Sequence, residues 1–166
     1  REVAERIGYS PAAIYRYFEH KDHIVSVLTE EGFARFAAVL RAAADSCDDP
    51  PERLNRMGEA YLEFARSHPV HYRLMFIERI ERVVETPKDL REDPPESLAI
   101  LVEVVADGME RGRFVGGSVE ETAHAIWASI HGVAALLSCM EEMPAEWKTS
   151  LGRGVRELVL RGVQAP

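Results

Sequence analysis

Residues 1–24 read REVAERIGYSPAAIYRYFEHKDHI and contain two short helical patterns separated by a tight turn. Gly8 follows the first pattern, at the position where a residue in the left-handed conformation would end a helix. Ser10 and Pro11 are a preferred N-cap and a preferred first residue of a second helix, which we predict from Pro11 to Phe18. The stretch therefore predicts a helix–turn–helix unit.

The exposed side of the second predicted helix combines small, hydroxyl-bearing and cationic side chains. Small residues let a backbone approach the edges of DNA bases, and Tyr, Arg and Ser side chains reach phosphates. Lys21 follows at the start of the next helix, where backbone N–H groups favour a phosphate. We predict DNA contacts by Ser10, Pro11, Ala12, Ala13, Tyr15, Arg16, Tyr17 and Lys21.

The remainder of the chain shows helical periodicity and no strand-like alternation. Further helices are predicted at 22–46, 50–68, 96–113, 119–142 and 145–163. Asp22 is the predicted cap of the first of these, and Ser118 with Glu121 predicts a capping box at the start of another. Pro69 begins a shorter apolar segment, and the polar, proline-rich residues 85–95 predict a linker. These elements predict an all-α bundle.

The charge balance excludes some classes of protein. The chain has 20 Lys+Arg against 28 Asp+Glu, a net charge of −8, which is the wrong sign for a protein that coats nucleic acid through charge alone. Residues 1–21 carry four positive and three negative charges, so the acidity belongs mainly to the bundle. Cys47 and Cys139 lack a paired spacing and indicate neither a disulfide framework nor a zinc site. Charges interrupt the apolar stretches, so we expect no membrane span and a cytoplasmic location.

The segment from Arg1 to Ile24 resembles the helix-turn-helix of the TetR family of transcriptional regulators. The matching elements are Val3-Ala4, Gly8, Ser10, Ile14-Tyr15, Tyr17-Phe18 and Lys21. The resemblance implies that the DNA backbone is held by Ser10, Tyr15, Tyr17 and Lys21. It also implies that the exposed start of the second helix lies in the major groove. The family's helix before Arg1 is absent from this sequence, so we expect the first N-terminal helix to be missing.

Two segments further along resemble one regulatory-domain subtype of the same family, called WHG. They are HPVHYRLMF at 68–76 and WASIHG at 127–132, and the resemblance covers roughly residues 50–140. Such domains bind a small effector between helices and dimerise through their last two helices. The implied organisation is a DNA-binding region with its long connecting helix at 1–46 and an effector-binding and dimerisation domain at 47–166, without a cofactor.

Apolar, aromatic and methionine side chains recur in the second half of the chain and are typical of a site for a largely apolar ligand. The candidate effector-binding residues are Phe36, Met57, Tyr61, Phe64, Tyr72, Met75, Phe76, Met109, Trp127 and His131. The alternative is that each of them is plain core. His131 and His71 are candidate polar anchors, or core histidines bonded to a carbonyl.

The last two predicted helices carry a candidate dimer interface. Small residues along one side of the penultimate helix permit close helix approach, and the last helix adds apolar side chains. The interface residues are predicted to be Ala125, Ala128, Ser129, Gly132, Ala135, Leu136, Leu151, Val155, Leu158 and Val159. Two-fold symmetry would place the second helices of the two helix–turn–helix units about 34–36 Å apart. A small-residue face buried within one bundle is the alternative.

The residues and the resemblance together predict a homodimeric, ligand-responsive repressor. It would bind palindromic double-stranded operator DNA and be released by a small, largely apolar effector. Glu121 and His124 have the Glu-x-x-His spacing of carboxylate-bridged metal bundles, but a di-metal site needs a second such motif and two more carboxylates. A metal-dependent helical enzyme and a structural helical interaction protein are the alternatives, and no catalytic or metal-binding residue is predicted.

Overall fold

The computed structural model describes residues 6, 8, 10–14, 16–18, 20–77, 96–140 and 142–165. Its elements are α1 (Pro11–Ile14), α2 (Lys21–Ala44), α3 (Pro50–Ser67), α4 (Pro69–Tyr72), a π-helical turn (Arg73–Ile77), α5 (Glu96–Glu110), α6 (Val119–Cys139) and α7 (Ala145–Val163). No strand occurs in these ranges, and the predicted all-α architecture is confirmed. The predicted linker at 85–95 lies outside the described residues.

The turn before α1 has the conformation predicted from its sequence. Gly8 has a φ of 73°, in the left-handed region that favours glycine. The hydroxyl of Ser10 accepts a hydrogen bond from the backbone N–H of Ala13 at 3.2 Å, as an N-cap does. The helix ends at Ile14 and a turn follows, so it is shorter than the predicted helix to Phe18.

The cap of α2 differs from the prediction. His20 occupies the N-cap position, and its Nδ1 accepts a hydrogen bond from the backbone N–H of His23 at 3.1 Å. Asp22 lies in the first turn instead, where a carboxylate interacts favourably with the positive end of the helix dipole. The prediction of Asp22 as the cap was therefore wrong.

Prolines and a capping box set other helix boundaries as the sequence predicted. Pro50 and Pro51 open α3, and Pro69 begins α4 directly after α3 ends. At the start of α6 the hydroxyl of Ser118 accepts from the backbone N–H of Glu121 at 3.2 Å. The Glu121 carboxylate accepts from the backbone N–H of Ser118 at 3.1 Å, which completes the box.

The core lies where α2, α3, α5 and α6 pack together, and α7 packs against α3 and α6. Phe36 of α2 is fully buried in it. Its ring meets Tyr61 edge-on at 4.8 Å and lies 5.0 Å from the ring of Phe64 and 5.8 Å from that of Phe76. These centroid distances are those of favourable aromatic pairs, so the aromatic residues of α2, α3 and the π-helical turn form one packed cluster.

Helix α6 corrects one expectation. Residues 122–139 contain no Asp, Glu, Lys or Arg, so charges do not interrupt every apolar stretch. By length and composition alone α6 could cross a membrane, although core helices pass the same test. Ala123, Ile126 and Ile130 pack in the core of the bundle. Only 33% of the apolar window is buried, and the outward side of α6 is rich in small residues.

Candidate functional site

A cavity of about 40 Å³ lies between α2, α3, α5, α6 and α7. Its walls are mostly apolar and consist of Phe36, Leu40, Leu54, Asn55, Met57, Gly58, Tyr61, Ser97, Leu101, Ile126, Trp127, Ile130, Arg156, Val159 and Leu160. The volume is smaller than the roughly 300–1,000 Å³ of typical ligand sites. A ligand therefore has to displace wall side chains, and the unbranched Met57 is suited to such movement.

The structure brings most of the predicted effector-binding residues together. Those that line the cavity are Phe36, Met57, Tyr61 and Trp127. Those buried or half-buried beside it in the same part of the core are Phe64, Tyr72, Met75, Phe76 and His131. Met109 packs on the edge of the core and is not part of the cavity wall.

A hydrogen-bond network joins three helices beside the cavity. Nδ1 of His131 lies 2.8 Å from the hydroxyl of Tyr61 and 3.1 Å from the hydroxyl of Tyr72. In the neutral imidazole with its proton on Nε2, Nδ1 has one lone pair, which these two hydroxyls share as an acceptor. The imidazole also stacks on Trp127 at 4.8 Å with an interplanar angle of 15°. The network thus connects α3, α4 and α6 through a single nitrogen atom.

Burial keeps this network uncharged near neutral pH. It raises the pKa of the Tyr61 hydroxyl well above its usual range and the pKa of Tyr72 to about 12. Burial also lowers the pKa of the His131 imidazole, because the charged form loses its hydration. The three side chains therefore offer neutral hydrogen-bonding groups.

Arg156 of α7 is the only charged residue among those that line the cavity. Its Nη1 donates to Oδ1 of Asn55 at 2.8 Å and lies 3.9 Å from the carboxylate of Glu59. Its Nε is buried and, among the residues that the structure describes, has no hydrogen-bond partner. Gly58 makes room for the stem, since a Cβ at that position would lie 3.1 Å from Cδ of Arg156. Arg156 was not among the effector-binding residues predicted from the sequence.

Helix α2 links the cavity to the helix–turn–helix unit. Lys21 is its first residue, whereas Phe36 and Leu40 form part of the cavity wall. Gly32 is buried between these two ends, and a Cβ there would lie 2.7 Å from Sδ of Met75. The π-helical turn therefore packs directly on the backbone of α2.

The predicted DNA-contact residues lie at the surface where the structure describes them. Exposed among them are Ser10, Ala12, Arg16, Tyr17 and Lys21, and Ala13 is half-buried. Tyr15 and the side chain of Pro11 lie outside the described part. Tyr17 is 79% exposed, so its ring is open to a partner molecule.

The predicted interface residues lie on α6 and α7. Exposed among them are Ala125, Ala128, Ser129, Gly132, Leu136 and Leu158, and half-buried are Ala135, Leu151, Val155 and Val159. Val159 differs from the others because it also lines the cavity. A Cβ at Gly132 would meet no atom within 4 Å, so the outward side of α6 has open space there.

Several solved structures have a similar fold. A ketosteroid transcriptional regulator of Mycobacterium tuberculosis has a TM-score of 0.78 at 20% identity, over 100% of this chain and 84% of the other. A regulatory protein of the tetR family from Rhodococcus RHA1 has a TM-score of 0.73 at 20% identity, over 100% and 86%. A TetR family transcriptional regulator from Thermus thermophilus has a TM-score of 0.72 at 20% identity, over 96% and 85%. No curated protein sequence matches the chain significantly.

Two family models match the sequence. Residues 1–28 match the model described as "Bacterial regulatory proteins, tetR family". Residues 54–158, more than half of the chain, match the model described as "Tetracyclin repressor-like, C-terminal domain". The chain therefore belongs to the TetR family of bacterial transcriptional regulators, which are ligand-responsive DNA-binding repressors and not enzymes.

Proposed function

We propose that this regulator is a homodimeric repressor whose core cavity takes a small, largely apolar effector that releases it from a palindromic operator. The observation that carries the proposal is the course of α2. This helix begins at Lys21 beside the helix–turn–helix unit and contributes Phe36 and Leu40 to the cavity wall. Because α2 is continuous over 24 residues, movement of its cavity end is transmitted to the DNA-binding end.

The small volume of the cavity supports a ligand-driven change of state. An effector larger than about 40 Å³ fits only after the walls have moved, so it binds the expanded state better than the compact one. Such differential binding is what shifts a two-state equilibrium. A coupling free energy of about 1–3 kcal/mol would change operator affinity by about five- to 150-fold.

The DNA contacts that we propose divide into two kinds. Ser10, Tyr15, Tyr17 and Lys21 hold phosphates and set the position of the protein on the duplex. Ala12 and Ala13 of α1, with Pro11, and Arg16 in the turn after α1 face the base edges of the major groove. The exposure of Arg16, Tyr17 and Lys21 supports this assignment.

We propose that the dimer forms through the outward sides of α6 and α7. Members of the family act as dimers. The low buried fraction of the apolar α6 and the 67% exposure of Leu158 favour this surface, because both leave apolar area in water in the single chain.

The alternative of a metal-dependent helical enzyme loses its main support. The Glu121 carboxylate is engaged in the capping box with Ser118. Nδ1 of His124 lies 2.7 Å from the backbone carbonyl oxygen of Glu120, on the exposed side of α6. Both side chains therefore make hydrogen bonds to the backbone in the first turns of α6, which explains them without a metal.

Footprinting of the full-length protein on DNA around its own gene would locate the operator, and fluorescence anisotropy on that duplex would test the DNA face. Lys21→Ala should weaken binding to operator and to unrelated DNA alike and reduce the salt dependence by about one phosphate contact. Arg153→Ala, an exposed change on α7, is the matched control and should bind as the wild type. Unchanged affinity in Lys21→Ala would show that the DNA face is assigned wrongly.

A further inference from the structure

We infer that the effector is an amphipathic monocarboxylate whose carboxylate pairs with Arg156 inside the cavity. The inference rests on the proposed function, because it assigns the ligand class of the proposed effector site. The position of one buried cation in an otherwise apolar wall carries it.

Arg156 is poorly compensated for a buried guanidinium. Its side chain is 16% exposed. Nη1 donates to the side-chain amide oxygen of Asn55 at 2.8 Å and to its backbone carbonyl at 3.4 Å, both neutral acceptors. The carboxylate of Glu59 lies 3.9 Å away on a side chain that is 67% exposed. The buried Nε has no hydrogen-bond partner among the described residues. Leaving a buried donor of a charged group unpaired is costly, so an acceptor that reaches Nε is favoured.

The other polar side chains at the cavity wall, Asn55, Tyr61, Ser97 and Trp127, are uncharged. The amide oxygen of Asn55 already accepts from Arg156. The hydroxyl of Tyr61 is bonded to His131. Leu101, Ile126 and similar apolar side chains make up most of the wall. Charge recognition is therefore confined to Arg156, and the rest of the wall suits a hydrocarbon body.

A carboxylate is the group that suits this donor. The guanidinium presents parallel N–H groups in a planar fork, and a carboxylate accepts two of them at once. Nε–H is one arm of such a fork and is the donor left unpaired here. An alcohol of the same chain length offers one uncharged oxygen and leaves the more distant, exposed Glu59 as the counter-ion of Arg156. The cavity should therefore prefer a carboxylate to the matched alcohol.

Equilibrium binding of sodium octanoate and 1-octanol to the full-length dimer tests the inference. Residues 1–166 contain Trp127 and Trp147, so Trp147→Phe removes the second signal and lets Trp127 report from the cavity wall. In this background octanoate should bind about tenfold or more tightly than 1-octanol at neutral pH. Octanol binding equal to octanoate binding, or no binding of octanoate, overturns the inference.

Variants of Arg156 complete the test. Arg156→Met keeps the apolar stem against Gly58 and should bind both compounds alike, with octanol affinity unchanged. Arg156→Lys keeps the charge but lacks the Nε–H fork, so it should reduce the preference without abolishing it, which covers the case that the methionine variant does not fold. Arg153→Met is the matched surface control and should retain the preference. Retention of the full preference in a folded Arg156 variant overturns the inference.

The readouts separate this inference from the proposed function. If octanoate binding depends on Arg156 but never changes operator affinity, the carboxylate site stands and the effector role fails. If apolar compounds without a carboxylate release the operator as well as octanoate does, the effector role stands and the carboxylate inference fails.

Discussion

Three neutral side chains and one cation are the polar groups that matter most at the proposed effector site. Tyr61 and Tyr72 share Nδ1 of His131, so loss of any one of them alters the contacts of the other two. Arg156 lies elsewhere on the cavity wall and is bonded to Asn55. The hydrogen bonds of His131 to Tyr61 and Tyr72 join three helices. Arg156, in contrast, has an unpaired donor with which to recognise a ligand.

The His131 imidazole should make stability depend on pH. Burial lowers its pKa, so the unfolded chain takes up a proton on this residue at a higher pH than the folded chain does. The free energy of unfolding should therefore fall as the pH decreases from about 6.5, the unfolded value. Urea unfolding between about pH 7.5 and pH 5.5 measures this slope.

His131→Gln removes the titrating group and should flatten that slope. His124→Gln, an exposed change on the same helix, is the control and should keep the slope of the wild type. A wild-type slope that persists unchanged in His131→Gln would refute the assigned role of burial.

Some side chains on the cavity wall can be predicted from the sequence, and others cannot. Trp127 and Tyr61 recur with other aromatic residues at helical spacing, and this pattern indicates a core or a ligand site. Arg156 gives no such signal, because a cation on a helix usually lies in water. Its burial depends on Gly58, which is distant in sequence and leaves room for the arginine stem.

At the scale of the helices, local chemistry determines the boundaries that sequence predicts best. Pro50, Pro69 and the Ser118 capping box set their helix starts through the chain's own backbone and nearest side chains. The π-helical turn at Arg73–Ile77 was not predicted, and its Met75 packs against Gly32 of α2, which is distant in sequence. The His20 cap was missed because histidine is not a usual capping residue.

Close packing at Gly108 holds α5 against the segment that follows it. A Cβ at Gly108 would overlap the ring of the buried Phe114. Gly108→Ala should therefore lower the free energy of unfolding by about 1–3 kcal/mol, although alanine is the better helix former. Urea unfolding measures the change.

Gly162→Ala is the matched control, because a Cβ at this glycine of α7 meets no atom within 4 Å. It should leave the free energy of unfolding unchanged or raise it by up to about 1 kcal/mol. Equal effects of the two substitutions would contradict the packing described for Gly108.

At the scale of the whole molecule, the acidic charge and the DNA-binding function are compatible. The net charge of −8 is carried mainly outside residues 1–21, where positive charges slightly outnumber negative ones. An acidic body disfavours unspecific adhesion to DNA, so binding depends on the few contacts of the helix–turn–helix unit. The net charge excludes a protein that is basic throughout. It is compatible with a slightly basic DNA-binding unit joined to an acidic bundle.

The dimer surface should respond to a charge placed at its apolar centre. Leu158→Glu should convert the dimer to monomer and weaken operator binding, because two carboxylates would face the two-fold interface. Val70→Glu on α4 is the matched control, since Val70 is 65% exposed and Leu158 is 67% exposed. Sedimentation velocity measures the mass of each variant. A Leu158→Glu dimer as stable as that of the wild type would exclude this face.

A ligand in the cavity should control operator binding. Leu101 lies on the cavity wall, so Leu101→Phe should fill the space that the ligand needs. Val39→Phe on the exposed side of α2 is the control for the added ring. Fluorescence anisotropy of the operator complex, titrated with straight-chain carboxylates and alcohols of about six to ten carbons, is the most direct measurement. We predict that wild type and Val39→Phe are released by at least one compound and that Leu101→Phe binds operator normally but needs about tenfold more of it. Identical dose–response curves for wild type and Leu101→Phe would show that the cavity is not the site of control.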